Sequence, residues 1–290
     1  MSGTSSTSIR PQYRTIDGVR TRFAESDARD ADSLLFCPWP ESMYAYESIW
    51  ARLAQHAHLI AVDLPGFGGS DRDNNLMSPH AMGEFVVHVA DAFGLANPHV
   101  VGPDVSTGAT LFAAAMHPGR MRSLVVGTGA TAVPLDVGDP LKEWVFAPSL
   151  DPYRKIDGRQ IVAAAVSTLE RYKLTDAARE DYLASYAGDR FAESIRYVQT
   201  YPKELPVLGE KLKDIQTPIQ IIAGKRDTVV PPINAEFLHE RLPKSKLDFI
   251  DAGHFVWEDG ADQYAALVTS WWNGGYAKVG AAKVSASSHA

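Results

Sequence analysis

The stretch that decides how this chain is read is His99-Val100-Val101-Gly102-Pro103-Asp104-Val105-Ser106-Thr107-Gly108, in which a short apolar run meets small and turn-forming residues and then a helical pattern. A strand that turns sharply into a helix presents one side chain at the bend, and small residues flank it because the backbone is cramped there. Two registers fit. In one, Asp104 stands at the bend with Gly102 two before it and Ser106 two after; in the other, Ser106 stands at the bend, Asp104 replaces the first glycine and Gly108 keeps the second. The second register puts a bulky aspartate where the turn wants glycine, so Asp104 is the preferred candidate nucleophile and Ser106 the alternative. Asp104 could also serve only as an N-cap of the following helix, since aspartate is favoured there.

Working outward, apolar segments that end in turn residues recur at SLLFC (33–37), HLIAVDLP (58–65), SLVVG (123–127), PIQIIAG (218–224) and KLDFIDAG (246–253), and they read as strands. Helical spacing separates them at Tyr44 to Gln55, Ser78 to Phe93, Gly108 to His117, Ile233 to Arg241 and Val256 to Trp272. Alternation of this kind predicts a mostly parallel, eight-stranded sheet flanked by helices. YRTIDGVRTRFAE (13–25) carries an Asp17-Gly18 turn signal and predicts an antiparallel hairpin at one edge. The alternation fails between 132 and 208, where helical patterns (Arg159 to Tyr172, Asp176 to Ala187, Arg190 to Tyr201) occur without a strand. The expected organisation is therefore a core of 10–131 and 209–274, an inserted helical cap of 132–208, and flexible tails at 1–9 and 275–290, which are small and polar.

The 290 residues include 28 Lys and Arg against 35 Asp and Glu, a net charge of -7. That balance, with no basic cluster, argues against a nucleic-acid partner. The apolar runs are too short to span a bilayer. The single cysteine, Cys37, has no internal partner and no charged-then-apolar leader opens the sequence, so a cytoplasmic location is expected. The composition leaves room for a homo-oligomer. The histidines (His56, His58, His80, His88 and His289 among them) show no ligand spacing, so no metal and no cofactor is expected.

Further motifs carry a resemblance. Phe36-Cys37-Pro38-Trp39-Pro40-Glu41-Ser42 looks like an H-G-x-P-E-S loop with Cys37 and Pro38 in place of His and Gly. Asp63-Leu64-Pro65-Gly66-Phe67-Gly68-Gly69-Ser70 matches D-x-P-G-x-G-x-S. Ala223-Gly224-Lys225-Arg226-Asp227 follows one strand, and Ala252-Gly253-His254-Phe255 follows another. With the Asp104 register, these motifs resemble the α/β-hydrolase superfamily, and within it the family of epoxide hydrolases and haloalkane dehalogenases, whose elbow commonly reads G-H-D-W-G. The resemblance implies the α/β-hydrolase fold and a nucleophile, acid and base at Asp104, Asp227 and His254. It implies an oxyanion hole from the amides of Trp39 and Val105. Asp248 and Asp251 are rival acids outside the usual loop.

The implied reaction forms a covalent aspartyl ester that His254, oriented by Asp227, hydrolyses with water. Cap residues Trp144, Tyr153, Tyr172 and Tyr201, with Phe255, are candidate contacts to a small apolar substrate. Tyr182, Tyr186 and Tyr197 add to a tyrosine-rich cap in which packing is the default role for any one ring. Val105 stands where dehalogenases keep a tryptophan, and its side chain has no N–H for a halide, which places epoxide hydrolysis ahead of dehalogenation. Ester or lactone hydrolysis through Ser106, and a non-catalytic binding protein on the same fold, are the other readings.

Overall fold

Neighbouring residues of each central strand are apolar and face opposite ways, so the sheet needs cover on both sides. The computed structural model describes residues 8–279. Strands β1 (Gln12–Ile16), β2 (Val19–Glu25), β3 (Asp32–Phe36), β4 (His58–Val62), β5 (His99–Pro103), β6 (Ser123–Gly127), β7 (Ile219–Gly224) and β8 (Ser245–Ile250) form one sheet in the order β1-β2-β4-β3-β5-β6-β7-β8. β1 and β2 make the expected antiparallel hairpin, turning through Asp17 and Gly18 at positive φ. β2 runs antiparallel to β4, and β3 through β8 are parallel. Leu34, Val100, Val126 and Ile221 enter one core, while Leu35, Val101, Val125 and Ile222 enter the other.

Helices α1 (Glu47–Leu53), α2 (Pro79–Ala92) and α3 (Val105–Met116) alternate with the strands, and α10 (Ile233–Arg241), α11 (Val256–Asp259) and α12 (Ala261–Trp272) complete the cover. α1, α11 and α12 contribute to the core on one face, and α2, α3 and α10 to that on the other. α2 starts where the sequence signals it: Ser78 Oγ accepts from the Ala81 amide, and Pro79 occupies the first turn, where its missing N–H costs nothing.

Between β6 and β7 the chain forms α4 (Leu141–Val145), α5 (Asp151–Arg154), α6 (Gly158–Val166), α7 (Asp176–Ser185), α8 (Arg190–Val198) and α9 (Tyr201–Lys211). Several helix limits differ from expectation: α7 ends at Ser185 and α8 at Val198, and the expected Val256 to Trp272 helix is divided at Gly260 into α11 and α12. α6 stops at Val166 rather than Tyr172, because the amides of Glu170, Arg171 and Tyr172 turn to the Asp259 carboxylate. α9 carries Leu208 in its interior and continues to Lys211 despite Pro206, since Leu205 and Leu208 are buried and the helix packs on α2 and α3. Parts of both expected tails fall among the described residues. Ile9 is buried and Gly275–Lys278 forms a 3-10 turn beside Trp271; residues 1–7 and 280–290 lie outside the described residues.

The Asp63 turn ties the core to the helical segment. Arg22 Nε donates to Asp63 Oδ2 at 2.5 Å, and its other nitrogens reach Asp181 of α7 at 2.6 and 2.8 Å. Asp63 also accepts from the amides of Met43 and Gly69, and both Arg22 and Asp63 are buried. Removing one member of such a network leaves a buried charge short of a partner. Asp63→Ala is therefore expected to destabilise the fold by about 3 kcal/mol, read as a lower urea midpoint with an unchanged slope.

Candidate active site

The carboxyl ends of β5, β7 and β8 lie at one edge of the parallel part of the sheet, with β6 between β5 and β7, and each is followed by one polar residue directed to the same place. β5 delivers Asp104. Its backbone has φ 53° and ψ -127°, a conformation that costs a non-glycine residue about 1–3 kcal/mol. Hydrogen bonds from Asp104 N to the Gly127 carbonyl and from Thr107 N to the Asp104 carbonyl hold it there. Gly102 and Gly129 permit the bend, because a side chain at either would run into Thr110 or into the Asp104 carbonyl and Thr107. Asp104 occupies the N-cap position of α3 without capping it: its carboxylate makes no hydrogen bond to the helix amides.

That carboxylate is held from outside the helix. The Trp39 amide donates to Asp104 Oδ2 at 2.6 Å, and the His254 Nε2 faces Oδ1 at 3.6 Å. The Val105 amide opens α3, where no preceding turn can accept from it. Asp227, in the turn after β7, accepts from the amides of Val229 and Val230 through Oδ1 and from His254 Nδ1 at 2.8 Å through Oδ2. Its role as a turn former and its orientation toward His254 thus coexist. Asp251 instead pairs with Arg226 and Arg171 at the surface, and Asp248 with Gln220 and Lys246.

Ser106 is placed differently. It is fully buried, and its hydroxyl donates to the Cys37 carbonyl at 2.7 Å. The Cys37-Pro38 departure therefore keeps the loop geometry, with a carbonyl serving the elbow and the next amide but one serving Asp104. Burial, followed by the charge of Asp63, pushes the Cys37 thiol well above its ordinary range, so it remains a thiol.

His254 sits between two carboxylates with its side chain 10% exposed. Burial alone would push its pKa down; the charge of Asp227, then hydrogen bonding to Asp104 and Asp227, and the charge of Asp104 raise it from 6.5 to about 10. The ring is an imidazolium at neutral pH. Its folded-state pKa is raised, so the stability it contributes is complete below about 6.5 and is lost as pH rises through about 10. Asp104→Asn removes one of the two flanking charges, and the ring's titration, followed by NMR of its Cε1–H, is expected to move down toward neutrality.

A cavity of about 90 Å³ opens onto this group, lined by Trp39, Trp144, Tyr201 and Phe255 together with alanine, proline and aliphatic side chains. No Lys or Arg lines it. Trp39 stacks on Phe191 of α8, and Trp144 of α4 meets both rings edge-on, all at 5.1 Å. Trp39 Nε1 donates to Ser194 Oγ at 2.8 Å. Of the cap residues singled out in the sequence, Trp144 and Tyr201 reach the cavity. Tyr153 and Tyr172 do not: Tyr153 donates to Glu143 outside it, and Tyr172 lies beside Asp259 and Glu258. The hydroxyls of Tyr182, Tyr186 and Tyr197 are used by Glu258, the Glu41 carbonyl and the Val105 carbonyl. Among the described residues, the Tyr201 hydroxyl and the Trp144 indole N–H have no hydrogen-bond partner. Thr168 and Val229, which also line the cavity, carried no signal in the sequence.

Among the described residues no group of three or more His, Cys, Asp or Glu side chains is placed to hold a metal ion, and no helix is long and apolar enough to cross a membrane. An alpha/beta hydrolase fold family model matches residues 32–261, and the chain belongs to that family as one of its hydrolases. Its relatives include a haloalkane dehalogenase of Bradyrhizobium diazoefficiens, 26% identical over 88% of this chain and 91% of the relative. A 2-hydroxymuconate semialdehyde hydrolase of Pseudomonas putida is 26% identical over 76% of this chain and 78% of its own. Among solved structures, a putative acyltransferase from Salmonella enterica superposes with a TM-score of 0.80 at 18% identity, covering 92% of this chain and 95% of its own.

Proposed function

We propose that the protein hydrolyses a small apolar electrophile through a covalent ester on Asp104, and that the electrophile is an epoxide. The observation that carries this reading is the pose of Asp104, with Oδ2 bound by the Trp39 amide and Oδ1 free to attack beside His254. Oδ1 attacks a ring carbon, the C–O bond opens, and the Tyr201 hydroxyl protonates the alkoxide. Burial, then the Asp104 charge, raise the Tyr201 pKa well above its ordinary value, so it enters the step protonated. The His254 proton restores Tyr201, which leaves the ring neutral as the Asp104 charge disappears into the ester.

Neutral His254 then takes a proton from water as the water attacks Cγ. The developing oxyanion is Oδ2, already at the Trp39 amide and beside the helix terminus that bears the Val105 amide. Collapse releases the diol and regenerates carboxylate and imidazolium. The absence of Lys and Arg from the cavity lining disfavours carboxylate substrates.

A second substrate class, a short alkyl halide, is favoured by Trp144, a cavity-lining ring whose N–H has no partner among the described residues, and by the dehalogenase among the relatives. The test is a single turnover of a small terminal alkyl epoxide in heavy-oxygen water. The expected result is unlabelled diol and one heavy oxygen on the peptide that contains Asp104, because water attacks the ester carbonyl. Labelled product on the first turnover, with that peptide unlabelled, overturns the ester route. Halide release from a chloroalkane of the same length separates the two substrate classes.

A further inference from the structure

Two buried acids stand beside the site without a part in the chemistry above. Glu41 lies two residues after Trp39 and is fully buried; Glu258, in α11, lies four residues after His254 and is 3% exposed. Their carboxyl groups are within hydrogen-bonding reach of each other. One oxygen of each is satisfied: Trp257 Nε1 donates to Glu41 Oε2 at 2.9 Å, and the Tyr182 hydroxyl to Glu258 Oε1 at 3.0 Å. The remaining oxygens, Glu41 Oε1 and Glu258 Oε2, have no donor in the described protein. Two ionised carboxylates cannot share a dry site at this separation, whereas an acid and a carboxylate bridged by one proton satisfy each other.

We propose that Glu41 and Glu258 share a single proton, and that this pair positions the catalytic groups by bracing the Trp39 loop against the His254 segment and against cap helix α7. The connections are direct. Glu41 belongs to the loop that supplies the Trp39 amide. Trp257, its donor, meets the His254 ring edge-on at 6.1 Å, and Tyr182 of α7 holds Glu258. Burial, then the charge of the partner, hold Glu41 well above the usual carboxylate range, and burial raises Glu258 as well.

The titratable groups facing the pair are Asp104 of the elbow, Asp259 of α11, Tyr172 and Tyr182 of the cap, and Tyr46 beneath it; the nearby cation, His254, stands on the far side of the Trp257 ring contact. A second negative charge adds repulsion that the Trp257 and Tyr182 donors offset only in part, and it opens the brace. Because both acids are raised in the folded state, the stability they contribute is complete below the ordinary carboxyl range and is lost as pH rises through the raised values.

The test combines infrared spectroscopy with pH profiles of Glu41→Gln and Glu258→Gln, in which an amide N–H stands in for the shared proton. The wild type is expected to show the carbonyl band of a protonated carboxylic acid at neutral pH, titrating away as pH rises, and each variant to lose it. The fall in Tm with pH through that range should flatten in Glu258→Gln. The alkaline limb of kcat that follows the same titration should vanish in the variant while KM changes little.

Absence of the band in the wild type, or its persistence in both variants, overturns the shared proton without reliance on either variant folding. A band that behaves as expected with an unaltered kcat profile in the variants overturns the positioning role. Only the kcat arm rests on the aspartyl-ester reading: an intact band without epoxide turnover counts against that reading alone.

Discussion

Asp104→Ala is expected, on the aspartyl-ester reading, to lower kcat/KM on the order of 10⁵-fold or more, because no second nucleophile stands at the elbow to replace it. The adjacent hydroxyl is no substitute. Ser106 is committed to the Cys37 carbonyl, and its Oγ is enclosed rather than facing the cavity. Ser106→Ala should therefore cost about 1 kcal/mol of stability, the net worth of one buried hydrogen bond, and retain most of the activity. Steady-state kinetics and urea titration of the two variants check both halves. Loss of activity in Ser106→Ala at wild-type-like stability would transfer the nucleophile's role to that residue.

On the aspartyl-ester reading, His254→Gln is expected to separate the two chemical steps. Asp104 keeps its carboxylate and the Trp39 amide, so alkylation proceeds; water then lacks a base, and turnover should fall roughly 10²–10⁴-fold. The ester accumulates as a consequence. Intact-mass measurement should show the chain heavier by the whole epoxide, and peptide mapping should place the increment on the segment containing Asp104. A variant that is inactive and unmodified after long incubation with an epoxide turned over by the wild type would count against a covalent route.

What could be read in the sequence follows from how local each signal is. The eight strands and the three polar residues at their ends are marked by short motifs, since a strand, a turn and the residue at the bend lie within about ten positions of each other, close to the usual length of one connection. Asp104, Asp227 and His254 are far apart in the chain, yet the parallel order of β5, β6, β7 and β8 brings their ends together. The cap is different. Its tyrosines look alike in sequence, and what sorts Tyr201 from Tyr182, Tyr186 and Tyr197 is whether a tertiary partner has already taken the hydroxyl. Helix limits failed for the same reason at Val166, where the Asp259 carboxylate captures the amides that would have continued the helix. Glu41 and Glu258 gave no sequence signal because each sits in an ordinary motif and only their meeting is unusual.

Trp39 joins two tasks in one residue: its amide holds Asp104 Oδ2, and its indole is stacked on Phe191 and bonded to Ser194 of α8. On the aspartyl-ester reading, a shift of α8 against the sheet would also shift the amide that holds Asp104 Oδ2. The packing of the cap and the polarity at Asp104 are in this way tied to one residue.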